Sequence, residues 1–408
     1  MPLTRSSVLK TGAMAGAAAL AGPTLVGRAR AQTPGHLNFG LSSYPPTLEP
    51  WKNAGTAAST VKLQIYRGLL GYDAKGDLRP EIAETWEAED AQTYRFDLRR
   101  NAVFHDGSPV TSADVKASFE AMTAEDSTAY LRVALGIIDE IETPDPHTVR
   151  MKLSSPSASF IYQVASFYAF VVKADTVADE APIGCGPYTI TDNERGTRID
   201  LAAFADFYKE GMPKSKTLSF VAYKDENLRV AALEAGDVDI IEYVPWQAMD
   251  QVESNSNLML DTTDGPFMYL IFNVTQGPLA DPRVRDAVGY AIKREDVMAA
   301  AFFGRGRPLN GMPVPESSYF HNDEYANHWS YNPDKAKELL TEAGYGDGFS
   351  ATMLSTAQYG MHQDTAAVCQ QYLQQVGINV ELNLPDWATR VDLGNKGQYD
   401  MAVMGTAG

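Results

Sequence analysis

At 408 residues the chain is longer than one ordinary hydrophobic core supports, so two or more domains, or one domain with a large insertion, are expected. Its 44% hydrophobic content excludes a disordered chain, and its formal net charge of -18 sets it against nucleic acid and anionic lipid as partners.

Residues 1–31 stand apart in composition. Arg5 and Lys10 lead into the apolar, Ala- and Gly-rich run "TGAMAGAAALAGPTLV", and Ala29-Arg30-Ala31 supplies the small-x-small pattern that a signal peptidase cuts before Gln32. This reads as a cleavable signal peptide, through the general secretory route or a degenerate twin-arginine route in which Ser6 replaces the second Arg. Cysteine is absent near the cleavage point, so a lipid-anchored lipoprotein is not expected and the mature chain should be free and periplasmic. Removing Arg5, Lys10, Arg28 and Arg30 takes the charge from -18 to -22. The two cysteines, Cys185 and Cys369, are too far apart in sequence to imply a disulfide framework, although the compartment would permit one.

In chain order, Thr60 to Leu70 carries Val61, Ile65 and Leu69 at helical spacing and stops at Gly71. "TYRFDLR" then alternates Tyr94, Phe96 and Leu98 against Arg95, Asp97 and Arg99, the period of a half-buried strand. The following "FHDGSPVTSADV" places His105, Asp106 and Ser108 together, three residue types used in hydrolysis. Their spacing favours a turn with Gly107 at positive φ, followed by a helix that Thr111 and Asp114 cap from about Ser112. "HTVRMKL" is a second alternating strand. "NLRVAALEAGDVDII" reads as a helix to Ala235, a stop at Gly236 and a strand around Ile240 and Ile241. Asp281-Pro282 and Asn332-Pro333 each pair a cap with proline at the first helical position. "ATMLST", "DTAAVCQQYLQQVG", "INVELNL" and "YDMAVMG" give strand, helix, strand, strand. The result is an α/β chain with mixed sheets. Its end immediately after a strand suggests truncation.

No G-x-S-x-G elbow, H-E-x-x-H helix or G-x-x-x-x-G-K-[ST] loop occurs, and of the six histidines only His321 and His328, flanking a loop-like segment, approach a metal-ligand pairing, so no cofactor or metal is expected. A secreted hydrolase using His105, Asp106 and Ser108 is the distant alternative, since adjacent side chains in a turn point apart instead of forming a relay.

"TYRFDLRRNAVFHDGSPVTSADVKASF" resembles the signature segment of family 5 of the bacterial extracellular solute-binding proteins, the peptide and nickel receptors of ABC importers. "IYRGLLGYDAKGDLRPEIAETWE", "PIGCGPYTI", "RVAALEAGDVDII", "IFNVTQGPLADPRVRDAVGYAIKRED", "YNPDKAKELLTEAGY" and "LQQVGINVEL" follow in the same order, so the resemblance covers nearly all of residues 38 to 404. It implies a two-lobed periplasmic-binding-protein fold, type II and cluster C-like, with an extra subdomain in the first lobe. The lobes would be 32–268 and 269–408, the second incomplete and lacking its return to the first. It implies no catalysis, capture of a small solute between the lobes, and delivery to membrane permease subunits by a monomeric receptor. A di- or oligopeptide is the leading cargo, with an opine, a sugar or a metal chelate as alternatives.

Carried over position by position, the resemblance places ligand contacts at Tyr44, Tyr130, Phe167, Tyr168, Cys185, Gly186, Gly405, Thr406 and Ala407, with Phe267 and Trp387 as further candidates. For each aromatic, packing in a core is the competing reading. Cys185 stands where the family has Thr, and Tyr130, Phe167, Tyr168 and Ala407 occupy positions where nickel-type members use Trp and Arg, which disfavours a nickel chelate.

Overall fold

The structure is a computed structural model, and it describes residues 35–262, 267–312, 314 and 321–405. The proposed signal peptide, Thr406 and Ala407 lie outside the described residues. Within 33–408, which forms one compact unit, three larger sheets and their helices account for the architecture.

The first sheet is centred on His36–Leu41, which runs parallel to Thr217–Ala222 on one side and to Ile240–Ile241 on the other. Tyr188–Glu194 and Arg198–Ala203 extend it as an antiparallel pair. Phe39 lies opposite Phe220, with ring centroids 5.5 Å apart. Helix Thr56–Ile65 packs Val61 and Ile65 into this core with Leu41, Leu201 and Leu218.

The second sheet is an antiparallel set in the order Ala83–Ala88, Thr93–Leu98, Thr148–Leu153, Ile138–Asp145. Its alternation is as expected: Phe96, Leu98, Val149, Met151 and Leu153 are buried while Arg95, Asp97 and Lys152 form surface ion pairs. Helix Ser112–Thr123 covers it with Val115, Phe119 and Met122. The third sheet is mixed: Phe349–Leu354 is parallel to Ile378–Asn383 and to Met401–Gly405, and Met268–Phe272 closes the far edge antiparallel. Helices Pro282–Ala291, Pro333–Glu342 and Gly360–Gln375 supply its core.

Asp281 and Asn332 cap as read, accepting backbone N–H groups of the first turns they precede, and Asp225, not singled out in the sequence, does the same for Glu226–Ala235. Thr111 N and Oγ1 both donate to the Asp114 carboxylate, at 2.8 and 2.7 Å. Two readings change. The helix expected over Thr60 to Leu70 is Thr56–Ile65, after which Tyr66 turns extended and Arg67–Gly68 pairs with Phe170–Val171 as strand. Leu69 is buried all the same, so its apparent helical spacing reflects burial and not periodicity. A helix at Trp387–Asn395, not foreseen, is capped by Asp386 accepting from Thr389 N at 3.1 Å.

Cys185 and Cys369 are free thiols in separate cores. Among the described residues no helix is long and apolar enough to cross a membrane.

Asp114 also accepts Ala174 N at 2.9 Å, tying the cap to the neighbouring segment. Asp114→Ala is expected to lower stability by about 2 kcal/mol, since a cap and a buried charge-assisted bond go together. A urea titration reads this as a lower midpoint at unchanged slope.

Candidate functional site

In mixed α/β sheets the loops at the carboxyl ends of parallel strands converge on one edge, and polar backbone exposed there is available to ligands. Two such loops meet here. The first strand leads into Ser42-Ser43-Tyr44, and Phe349–Leu354 leads into 355–359.

Ser42 joins them. Its backbone N and Oγ donate to Glu242 Oε1 at 2.9 and 2.6 Å. With its proton committed to Glu242, the Ser42 hydroxyl accepts from the Tyr359 phenol at 3.0 Å. Gln358 Nε2 donates to Ser42 O at 3.1 Å, while Gln358 Oε1 accepts Trp387 N at 3.1 Å. Burial pushes the Glu242 carboxyl up despite those two bonds. Burial likewise raises the Tyr359 phenol to about 12, so it remains a donor throughout the physiological range.

Arg229, with no exposed surface, donates to Tyr223 O at 3.0 Å and Tyr243 O at 2.8 Å. This holds Tyr243 in the left-handed region at φ 51, with its hydroxyl 3.0 Å from Thr56 Oγ1 and its ring 6.0 Å from that of Tyr359. Such a conformation in a bulky residue costs of order 1–3 kcal/mol and persists only where the surroundings impose it.

Trp387 fills the remaining gap. Its indole sits on Gly55, where a Cβ would lie 2.8 Å from the ring, so a side chain at Gly55 would displace it. The ring is edge-on to Tyr359 at 5.1 Å and to His362 at 5.8 Å, with the Arg390 guanidinium 5.6 Å from its centre.

The expected contact residues fall into three groups. Tyr130, Phe167 and Tyr168 form a chain of rings, with Tyr168 centred 4.6 Å from Tyr130 and 4.4 Å from Phe167. Tyr168 is buried and donates to Asn53 Oδ1 at 2.9 Å, whereas Tyr130 is 58% exposed. Phe267 stacks on Tyr269 at 5.3 Å, and Gly405 pairs with Met268 at the carboxyl end of its strand. Tyr44 reaches away to Asn193 Oδ1. Cys185 and Gly186 make the third group. The Cys185 side chain is wholly enclosed, its thiol pushed up to about 12 by burial, and a Cβ on Gly186 would overlap the Ile65 backbone at 2.4 Å. In this arrangement that loop seats helix Thr56–Ile65, with Gly186 N donating to Ile65 O at 2.8 Å.

His105 serves the same loop. Its N donates to Gly184 O at 2.9 Å, its Nε2 to Gly186 O at 3.0 Å, and its ring stands edge-on to Phe204. Asp106 turns instead to Lys173 Nζ at 2.7 Å and accepts from Ser108 Oγ at 2.6 Å. The three do not form a proton relay, and the turn launches helix Ser112–Thr123. Ser42, Glu242, Tyr243, Gln358, Tyr359 and Arg390 were missed. The spacing of Trp387 and Arg390, three apart and therefore on one helical face, was a signal for the last.

A family model for bacterial extracellular solute-binding proteins, family 5 Middle, matches residues 77–408. The chain belongs to that family. This family 5 solute-binding protein is 30% identical to the glutathione-binding protein GsiB of Escherichia coli (strain K12) over 368 residues, covering 88% of this chain and 71% of GsiB. The PBP AgaA from A. tumefaciens R10, solved in complex with agropinic acid, is 42% identical with a TM-score of 0.89, covering 91% of this chain and 77% of that one. DppA from Helicobacter pylori in complex with peptide STSA, at 22% identity and a TM-score of 0.82 over 91% of this chain and 78% of that one, shows the fold alone. The fold is that of the two-lobed type II periplasmic binding proteins, and the relatives are binding proteins and not enzymes.

His362 lies beneath this cluster, and burial, helped by Arg390, lowers its pKa to about 3. The unfolded chain takes up this proton near 6.5 while the folded chain holds it off, so acid favours unfolding across that window. Stability should fall as pH drops from about 6.5 toward 3, by up to about 1.4 kcal/mol per pH unit from this group. His362→Asn, neutral at every pH, should give a visibly shallower acid limb in urea midpoints; an unchanged limb would remove His362 from the account.

Proposed function

We propose that this protein is the periplasmic receptor of an ABC importer, closing two lobes, 32–268 and 269–408, over a small solute and presenting it as a monomer to membrane permease subunits. The observation that carries the reading is the Ser42, Gln358, Tyr359 and Trp387 contact between the two parts, together with family membership. These contacts join residues more than 300 positions apart through few, mostly polar interactions. Such an interface suits repeated hinge closure better than a permanent apolar one. The aromatic groups at Tyr130, Phe167 and Tyr168, and at Phe267, Tyr269 and Trp387, supply apolar walls of the kind that bury a small ligand.

The cargo we propose first is a short peptide or peptide-like conjugate, supported by the 30% identity to a glutathione-binding protein. A second reading, an opine, is favoured by the 42% identity to a protein holding agropinic acid. Residues 1–31 direct export, and the exported chain should begin at Gln32 when its N-terminus is sequenced.

Native mass spectrometry of the purified protein, followed by denaturation, should release a small amino-acid-derived solute. A released sugar, or absence of calorimetric heat with both peptide and opine pools, would sink the cargo assignment. Trp387→Ala should weaken binding of the released solute by about 30-fold, in keeping with the usual weight of a buried indole anchor, with folding intact.

A further inference from the structure

We infer that Arg390 recognises a carboxylate of the bound solute, which makes the cargo class a small organic acid; this rests on the receptor reading above. The reason lies in how this protein treats its other enclosed cations. Lys62 Nζ donates to Lys52 O at 2.7 Å with the Glu49 carboxylate in its field. Arg229 has two backbone carbonyls and stands in the fields of Glu226 and Glu242. Arg294, only half-buried, donates to three carbonyls and feels Glu295. Each has an anion to offset its charge.

Arg390 does not. It is 4% exposed, and one nitrogen, Nη2, donates to Val403 O and faces Met404 Sδ. Nε is buried without a partner, as is Nε of Arg229. No carboxylate lies within ion-pairing distance among the described residues; what favours its charge is the Val403 carbonyl, the Trp387 ring face and the nearby phenols of Tyr399 and Tyr269. Removing a guanidinium from water without a counter-charge costs several kcal/mol, and the unpartnered Nε adds to that cost. An arginine left in this state at a binding edge is poised for a planar, two-oxygen partner, which a carboxylate provides.

Its position agrees. Arg390 lies on the helix whose first residue, Trp387, rests on Gly55. Its anchor, Val403, belongs to the carboxyl end of Met401–Gly405. Tyr269 pairs with Met404 across the strands and stands in the fields of both Arg390 and the exposed Tyr130. Arg390 is therefore next to the aromatic groups that we propose wall the cleft.

Calorimetric titration of the full chain with two acid and ester pairs, glutathione with its diethyl ester and agropinic acid with its methyl ester, tests this. The wild type should bind at least one acid about 100-fold more tightly than its ester. Arg390→Gln should weaken the acid by about 100-fold and leave the ester unchanged, and Arg390→Lys should recover roughly ten-fold. If Arg390→Gln does not fold, the acid and ester comparison on the wild type and Arg390→Lys decides the matter. A folded Arg390→Gln protein that binds the acid within threefold of wild type, or a wild type indifferent to esterification, overturns the role of Arg390 and leaves the receptor reading standing. Failure of all four probes, together with no solute released on denaturation, overturns both.

Discussion

Ser42 is the point at which segments more than 300 positions apart in the chain meet. A single hydroxyl gives its proton to Glu242 and takes one from Tyr359, while the same residue's carbonyl accepts Gln358. Because Glu242 is enclosed, its acceptor oxygen must be satisfied, and that requirement orients the hydroxyl. The orientation in turn leaves one role for the Tyr359 phenol, that of donor. Short, directional bonds of this kind contribute about 1 kcal/mol each, so together they fix how these distant segments meet.

Around that point, the structure uses backbone carbonyls to hold interior cations and bare glycines to bring elements close. Arg229 clamps Tyr223 and Tyr243, and so positions the segment that follows Ile240–Ile241. Gly186 lets its loop lie directly on the end of helix Thr56–Ile65, and His105 locks that loop from the other side. The helix begins just after Gly55, the seat of Trp387. The FHDGSP turn, which has the residue types of a hydrolytic site, thus supports the loop on which that helix ends.

Local features were legible because their causes are local. Proline after Asp281 or Asn332, and Asp114 three residues after Thr111, satisfy helix ends with neighbours in the chain. The alternation of Val149, Met151 and Leu153 reports a strand with one wet face. Misreadings arose where burial mimicked periodicity, as at Leu69, or where a short helix carried mixed polarity, as at Trp387–Asn395. Of the contact residues suggested by resemblance, Tyr130, Phe167, Tyr168, Phe267 and Trp387 make ring contacts, whereas Tyr44 bonds Asn193 and Cys185 is sealed in a core.

By itself the sequence determined the α/β class, the capped helices and strands, and the family, since each depends on residues near one another in the chain or on motifs in order. Tertiary structure decided the rest. Ser42 meets Glu242 across 200 positions and Tyr359 across 317, and Trp387 meets a glycine chosen for what it lacks. Nothing in local pattern marks Arg390 as lacking a carboxylate partner among the described residues, because that shows only once those residues have been placed in space.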